Sequence, residues 1–329
     1  MLNPGRPDVG TIRRELERRA RRSGWPEPLV LLTTPDDPGA GQARRALAAA
    51  PDLVVVSGGD GTVRHVAGEM AGTGVPIGIV PTGTANLLAR NLGLPPRRPL
   101  PALRIALEGT TADIDVGLAS VTTGGHPDRW SPDMPFLVMA GLGRDAQALS
   151  TVGPHLQRAL GWTGYLVAGA RRLLAPAVPM VLTTDTGTRR VKVWTVLVGN
   201  CPRIPAGIEV FPAARPDDGV LDTLEVPVHA ATDWLGVAAR GLLHLRRDVP
   251  ALVYGRTTTV RLAPSRPLPL QLDGDVVAEV TEVRIRVRPG ALTVRVPIRR
   301  HRSLRPASRS VEPLRPASRS VEPLRPTSR

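Results

Sequence analysis

The fold class expected from the sequence is α/β joined to β: an N-terminal α/β domain with a parallel sheet, then a C-terminal β-rich, sandwich-like domain. Three observations predict it. Up to Leu107, short apolar runs alternate with segments of helical spacing, the signature of a doubly wound parallel sheet. From Asp113 onward, strand-like runs separated by turn signals dominate, as in an antiparallel sandwich or barrel. Between them, two β-type runs, Leu53–Ser57 and Ile77–Val80, each empty into a Gly/Thr-rich turn followed by a helical pattern. The expected division is residues 1–112, 113–298 and a tail at 299–329.

In order, Met1–Pro4 reads as the tail end of a strand entering an Asn3-Pro4 turn, too short for a sheet, so that either the start is trimmed or the edge strand is weak. Thr11–Ser23 carries Ile12, Leu16 and Ala20 at helical spacing, with charge on the opposite face. Leu29–Thr33 is a short apolar strand, closed by the turn Pro35–Gly39. Gly41–Ala50 is helical, and a further helix covers Leu87–Leu92. Beyond the cut the expected strands are Ile114–Val121, Phe136–Ala140, Met180–Asp185, Val191–Gly199, Leu221–Pro227, Thr257–Leu262, Leu268–Asp273, Glu282–Val287 and Leu292–Val296. Helical stretches are expected over Asp145–Leu174 and Ala231–Leu245.

The tail repeats LRPASRSVEP at Leu304–Pro313 and Leu314–Pro323 and closes on LRPTSR. Frequent proline and the lack of apolar periodicity predict disorder there. The tail also explains the charge. Of a net +14, residues Arg299–Arg329 supply nine Arg against two Glu, or 9 − 2 = +7. Such a segment reads either as a solvated appendage or as a tether to anionic lipid. With half the surplus there and no interleaving of basic and aromatic residues, nucleic-acid binding is not expected. Aromatics make up 3% of the 329 residues, so Val, Leu, Ile and Ala must fill the cores. No apolar run reaches transmembrane length. The single Cys201 excludes an internal disulfide and points to a reducing compartment. The expected location is cytoplasmic, with membrane contact only peripheral.

The chemistry concentrates in the two turns. Ser57-Gly58-Gly59-Asp60-Gly61-Thr62 follows a β-branched strand and opens a helix, so its glycines bring bare backbone N–H groups and a helix N-terminus to one edge. Asp60 stands at the mouth of this turn, placed to bind Mg²⁺ or orient a reacting oxygen. Pro81-Thr82-Gly83-Thr84-Ala85-Asn86 opens the next helix; Thr84 reads as its N-cap or as a phosphate contact. No GxxxxGK[ST] occurs, so a Walker P-loop is excluded. Asp218 and Asp222 are the other candidate oxygen ligands for Mg²⁺. Asp273-Gly274 and Asp217-Asp218-Gly219 are also plain turn signals.

Gly58–Thr62, Pro81–Asn86 and the trailing Asn91-Leu92-Gly93-Leu94-Pro95 together resemble the diacylglycerol kinase catalytic domain, and within it the soluble bacterial lipid kinases, with sphingosine kinases more distant. The likeness runs from Asn3 to about Pro297, taking in Asn3-Pro4, Gly141–Ala146, Gly199-Asn200, Pro212-Ala213 and Asp217–Asp222. Leu272-Asp273-Gly274-Asp275 sits where this family usually carries a DGE motif. The resemblance implies ATP-dependent phosphorylation of a lipid hydroxyl such as that of diacylglycerol, in a cleft between a nucleotide-binding and a lipid-binding domain. By carry-over, Asn3, Thr34, Gly58, Gly59, Asp60, Gly61, Thr62, Gly83, Thr84 and Asn86 would contact ATP or its Mg²⁺. Asp218, with backbone near Arg215 and Val220 and with Asp222 beside it, would form a structural Mg²⁺ site, and Asp275 would accept the proton. The implied partners are a lipid at a membrane surface and, as an option, a second copy of the chain. Two competing readings stay open: an NAD kinase-like enzyme, which shares GGDGT, and a catalytically silent lipid-binding protein. The second is motivated by Asp275 standing where glutamate is usual and by the clipped first strand.

Overall fold

The computed structural model describes residues 1–6, 8–124, 128–143, 177–204, 209–227 and 252–298. The expected helices at 145–174 and 231–245 and the repeat tail lie outside these residues.

The N-terminal half is the expected α/β layer. Strands β1 (Val54–Gly58) and β2 (Ile77–Pro81) pair in parallel, in register from Val54↔Ile77 to Gly58↔Pro81. Leu2 forms parallel bridges to both Leu32 and Ser57. The opening residues therefore lie between two neighbours instead of at a weak edge, and Leu29–Thr33 contributes a single bridge, not a full strand. Helices cover both faces. Helices α1 (Val9–Arg22) and α5 (Pro99–Glu108) bury Ile12, Ala102, Leu103 and Ala106 against Leu2 and Val80. On the other face, α2 (Ala40–Ala48) and α3 (Asp60–Met70) bury Ala43, Ala46, Val63, Val66, Ala67 and Met70 against Val54, Val56, Ile77 and Ile79. A short α4 (Leu87–Asn91) follows β2.

The C-terminal half is a sandwich of two sheets. The eight-stranded sheet joins β1 and β2 to β3 (Thr110–Thr122), β4 (Met134–Phe136), β6 (Val178–Thr184), β7 (Gly187–Val193), β11 (Thr259–Pro264) and β14 (Glu282–Val296). The six-stranded sheet runs β10 (Val253–Thr257), β9 (Leu221–Val226), β8 (Thr195–Gly199), β5 (Met139–Gly143), β12 (Leu268–Leu272) and β13 (Asp275–Val280), all antiparallel. Side chains of both sheets, among them Val121, Phe136, Leu182, Val196, Leu221, Leu262, Leu270 and Ile285, form one buried core.

Three of the expected strands divide at corners of this sandwich. Phe136–Ala140 becomes the end of β4 and the start of β5, Val191–Gly199 becomes β7 and β8, and Thr257–Leu262 becomes β10 and β11. At the first two corners the chain passes from one sheet to the other while staying buried through Leu137 and Val138 and through Trp194, so the apolar run carries no mark of the change; at the third, Thr258 and Thr259 are exposed. The reverse occurs at the end: Glu282–Val287 and Leu292–Val296 are one strand, β14, kinked where its pairing with β3 shifts between Arg288 and Leu292. Past that irregularity Val294 pairs in parallel with Ile77 of β2. The first sheet is therefore mixed, and the last strand of the sandwich completes the α/β layer. Met1–Pro297 packs as one unit.

Candidate active site

Strand β1 delivers its glycines into tight packing. A Cβ on Gly58 would meet the Thr62 side chain at 2.6 Å, which is why Thr62 is buried beneath the turn. Gly59 is the N-cap of α3 and no side chain caps that helix, so its first N–H groups are left to an incoming acceptor. The second turn presses against the first. A Cβ on Gly83 would lie 2.5 Å from the Cα of Gly59, and Thr82 N–H donates to the Gly58 carbonyl at 3.0 Å. The two turns are thus one cradle, held open by glycines at the contact.

Asp60 is the brace between them. One carboxylate oxygen accepts the Asn86 N–H at 2.8 Å and the other the Leu87 N–H at 2.5 Å. Burial pushes its carboxyl up to about 6, opposed by the Leu87 N–H. Asn86, buried and left-handed at φ 48°, accepts from Gly83 N–H at 2.9 Å and donates to the carbonyls of Gly83 at 2.8 Å and Pro96 at 3.0 Å. It is Asn86, not Thr84, that occupies the N-cap of α4; Thr84 is exposed. Asn3 closes the mouth, donating its backbone N–H to Ser57 at 3.1 Å. Thr34 lies in the turn before α2, accepting the Asp37 N–H at 3.1 Å.

The sandwich supplies the other wall. Asp273 (φ 51°) and Gly274 (φ 94°) make a two-residue turn with Leu272 opposite Asp275. The turn reading of Asp273-Gly274 therefore holds, but it misses what Asp273 does. Its buried carboxylate accepts N–H groups from Leu137, Val138 and Met139 at 2.8–3.0 Å, anchoring the hairpin to the start of β5. Burial raises its carboxyl above the usual range against those three donors. Asp60, Asp273, Leu137 and Val138 line a cavity of about 10 Å³, room for roughly one water. The anchored hairpin then presents Asp275, the first residue of β13, to the glycine turn. Its Oδ2 lies 3.2 Å from where a Gly61 Cβ would stand and 3.0 Å from Nη2 of Arg64.

Arg64 and Arg6 were not singled out from the sequence. The Arg64 guanidinium is buried and also donates to the Leu272 carbonyl at 2.9 Å. Its signal was a charged residue among Val63, Val66 and Ala67 on the inward face of α3. Arg6 brings Nη2 to 3.4 Å from the position of a Gly59 Cβ, beside the cradle; nothing in the sequence marks it.

Asp218 and Asp222 belong to a different cluster. Asp218 accepts the Val220 N–H at 3.2 Å and pairs with Arg256 of β10, whose Nε is 3.8 Å from Asp222. Arg215 pairs with Asp217 at 3.2 Å. Buried Asp115 holds this loop by accepting the Gly219 N–H at 2.7 Å, and it holds the β14 kink by accepting the Gly290 N–H at 2.8 Å. None of these partners lies on the glycine turns. Among the described residues no group of three or more His, Cys, Asp or Glu is arranged to hold a metal ion.

Residues 3–119 match the diacylglycerol kinase catalytic domain, and residues 138–296 match the YegS C-terminal NAD kinase beta sandwich-like domain. A probable YegS-like lipid kinase of Chromohalobacter salexigens is 30% identical over 86% of this chain and 88% of its own length. This chain belongs to the YegS-like lipid kinase family. A similar relative in Pseudomonas fluorescens is 32% identical, covering 87% of this chain and 90% of the relative. A solved diacylglycerol kinase from Bacillus anthracis shares the fold with a TM-score of 0.65 at 21% identity, over 90% of this chain and 94% of that one. Yeast NADH kinase, solved with NADH, shares it more loosely, with a TM-score of 0.51 at 13% identity over 89% and 80% of the two chains.

Proposed function

We propose that this lipid kinase transfers the γ-phosphoryl group of ATP to a lipid hydroxyl such as that of diacylglycerol, with Asp275 as proton acceptor. The single observation that carries the reading is the meeting of Asp275 with the Gly61 turn, which sets a carboxylate at the helix N-terminus best suited to phosphate. ATP phosphates lie against the N–H groups of Gly59–Thr62 and Thr84, where the glycine contact leaves no side chain in the way, with Arg6 alongside. Asp60 keeps the two turns in register. As the acceptor oxygen bonds to the γ-phosphorus, the bond from phosphorus to the β,γ-bridging oxygen breaks, ADP leaves, and the hydroxyl proton passes to Asp275. Mg²⁺ bound with ATP would supply charge neutralisation, and Asp60 would be the cradle carboxylate to hold it, its oxygens shared with the Asn86 and Leu87 N–H groups.

No described helix is long and apolar enough to cross a membrane. The lipid is met at a membrane surface through peripheral contact, aided by the Arg-rich tail. The alternative of a soluble nucleotide acceptor is favoured only by the fold shared with yeast NADH kinase. Incubation with labelled ATP, Mg²⁺ and a mixed-lipid extract, in parallel with NAD, separates the two. Label in the organic phase, identified by mass spectrometry and lost in Asp275→Asn, is the expected result. Label on NAD alone, or none, overturns the lipid reading.

A further inference from the structure

The Asp218 loop poses a question of charge that the sequence answers differently from the structure. Mg²⁺ requires about six oxygens in near-ideal octahedral geometry. Here the oxygens of Asp218 are already engaged, one by the Val220 N–H at 3.2 Å and the other by the Arg256 guanidinium. Arg215 neutralises Asp217 in the same way. The Pro216 carbonyl is taken by the Asp115 N–H at 2.6 Å. Of the carboxylate oxygens of this loop only Asp222 Oδ2 is buried without a hydrogen-bond partner, so Mg²⁺ would have to displace Arg256 to gain the one or two carboxylates that usually hold it. The loop as folded does not fit Mg²⁺.

We propose that Arg256 is a built-in cation that takes the place of a metal at this loop. The placement follows from register. Arg256 of β10 stands directly opposite Asp222 of β9, so both side chains emerge on the same face of the sheet. From there the guanidinium reaches Asp218, three residues before β9, with its planar fork spanning two carboxylates that would otherwise repel each other across the turn. Asp115 fixes the loop from below through Gly219, so the carboxylates are held where the arginine meets them. The loop that leads into β9 is thus stapled by the chain itself and keeps its shape without divalent ions. This does not depend on what the enzyme phosphorylates.

Thermal unfolding of the full chain without nucleotide, in EDTA and in excess Mg²⁺, tests it. The wild-type midpoint is expected to be the same in both. Arg256→Met leaves Asp218 and Asp222 unpaired, and its midpoint should fall in EDTA by about 3 °C or more and recover in Mg²⁺. Arg256→Lys, which keeps the charge, should stay insensitive. Asp218→Asn added to Arg256→Met should abolish the Mg²⁺ response, which ties it to this loop and not to the glycine cradle. A wild-type midpoint that drops in EDTA overturns the proposal whether or not the Met variant folds. So does an Arg256→Met protein that is indifferent to Mg²⁺.

Discussion

The buried Arg64 guanidinium, on the first turns of α3, donates to the carboxylate of Asp275, 211 positions further along, while its other nitrogen holds the carbonyl of Leu272. One side chain therefore fixes both the hairpin and the group the hairpin carries. Asp275→Asn should lower kcat by about 10² to 10⁴-fold, the usual worth of a positioned base, with little change in the midpoint of unfolding. Arg64→Gln should behave differently. Loss of the buried Leu272 bond destabilises by about 1–3 kcal/mol, and misplacement of Asp275 lowers kcat by about 10²-fold. Urea unfolding and steady-state kinetics on both variants check the split. An Arg64→Gln enzyme with full kcat would show that Asp275 needs no such support.

Gly83→Ala tests the cradle. The new methyl group would stand 2.5 Å from the backbone Cα of Gly59, which cannot swing aside as a side chain could, and 2.8 Å from Asn86 Oδ1. The turns must part, which breaks the register that Asp60 holds and costs about 1–3 kcal/mol. Nucleotide binding, measured by calorimetry, should weaken more than lipid binding does. Equal ATP affinity in the variant would mean that phosphate does not use this contact.

Asp273 makes a prediction about pH. Its folded carboxyl titrates above the ordinary value of 3.8 because burial outweighs its three N–H donors. The folded state then binds more protons than the unfolded one just above that value, so this residue's contribution to stability declines as pH rises until the folded group has ionised. Asp273→Asn does not titrate. The stability gap between wild type and this variant should be larger near about pH 4 than near about pH 7, read by urea unfolding at each. A gap that widens toward neutrality would place the carboxyl below the usual range instead.

The tail carries its own expectation. Truncation after His301 removes Arg302 and the following repeats, and with them most of the surplus positive charge of residues 299–329. Each basic residue near an anionic surface is worth about 1 kcal/mol, so sedimentation with anionic vesicles should weaken while turnover of detergent-dispersed lipid persists. Unchanged vesicle binding would make the tail a solvated appendage.

What the sequence determined by itself was local. β-Branched runs that end in glycine turns predict the strands β1 and β2, the helices after them and the phosphate-type cradle, because each depends on residues close along the chain. The hairpin at Asp273-Gly274 was legible for the same reason. What only the tertiary structure decided is long-range. The division of apolar runs at the β4–β5 and β7–β8 corners left no trace in hydropathy, since a residue buried between two sheets looks alike whichever sheet it joins. The return of β14 to pair with β2, the anchoring of Asp273 by the Leu137–Met139 amides and the Arg64–Asp275 contact all join segments more than a hundred residues apart. The use of Asp60 as a brace for Asn86 and Leu87 is also tertiary, though over only 26 and 27 positions: a carboxylate at a turn signals a ligand or a cap, and only packing shows which N–H groups it meets. Arg256 makes the same point in the Asp218 loop, because its partner was chosen by the register of β9 and β10, which no local pattern encodes.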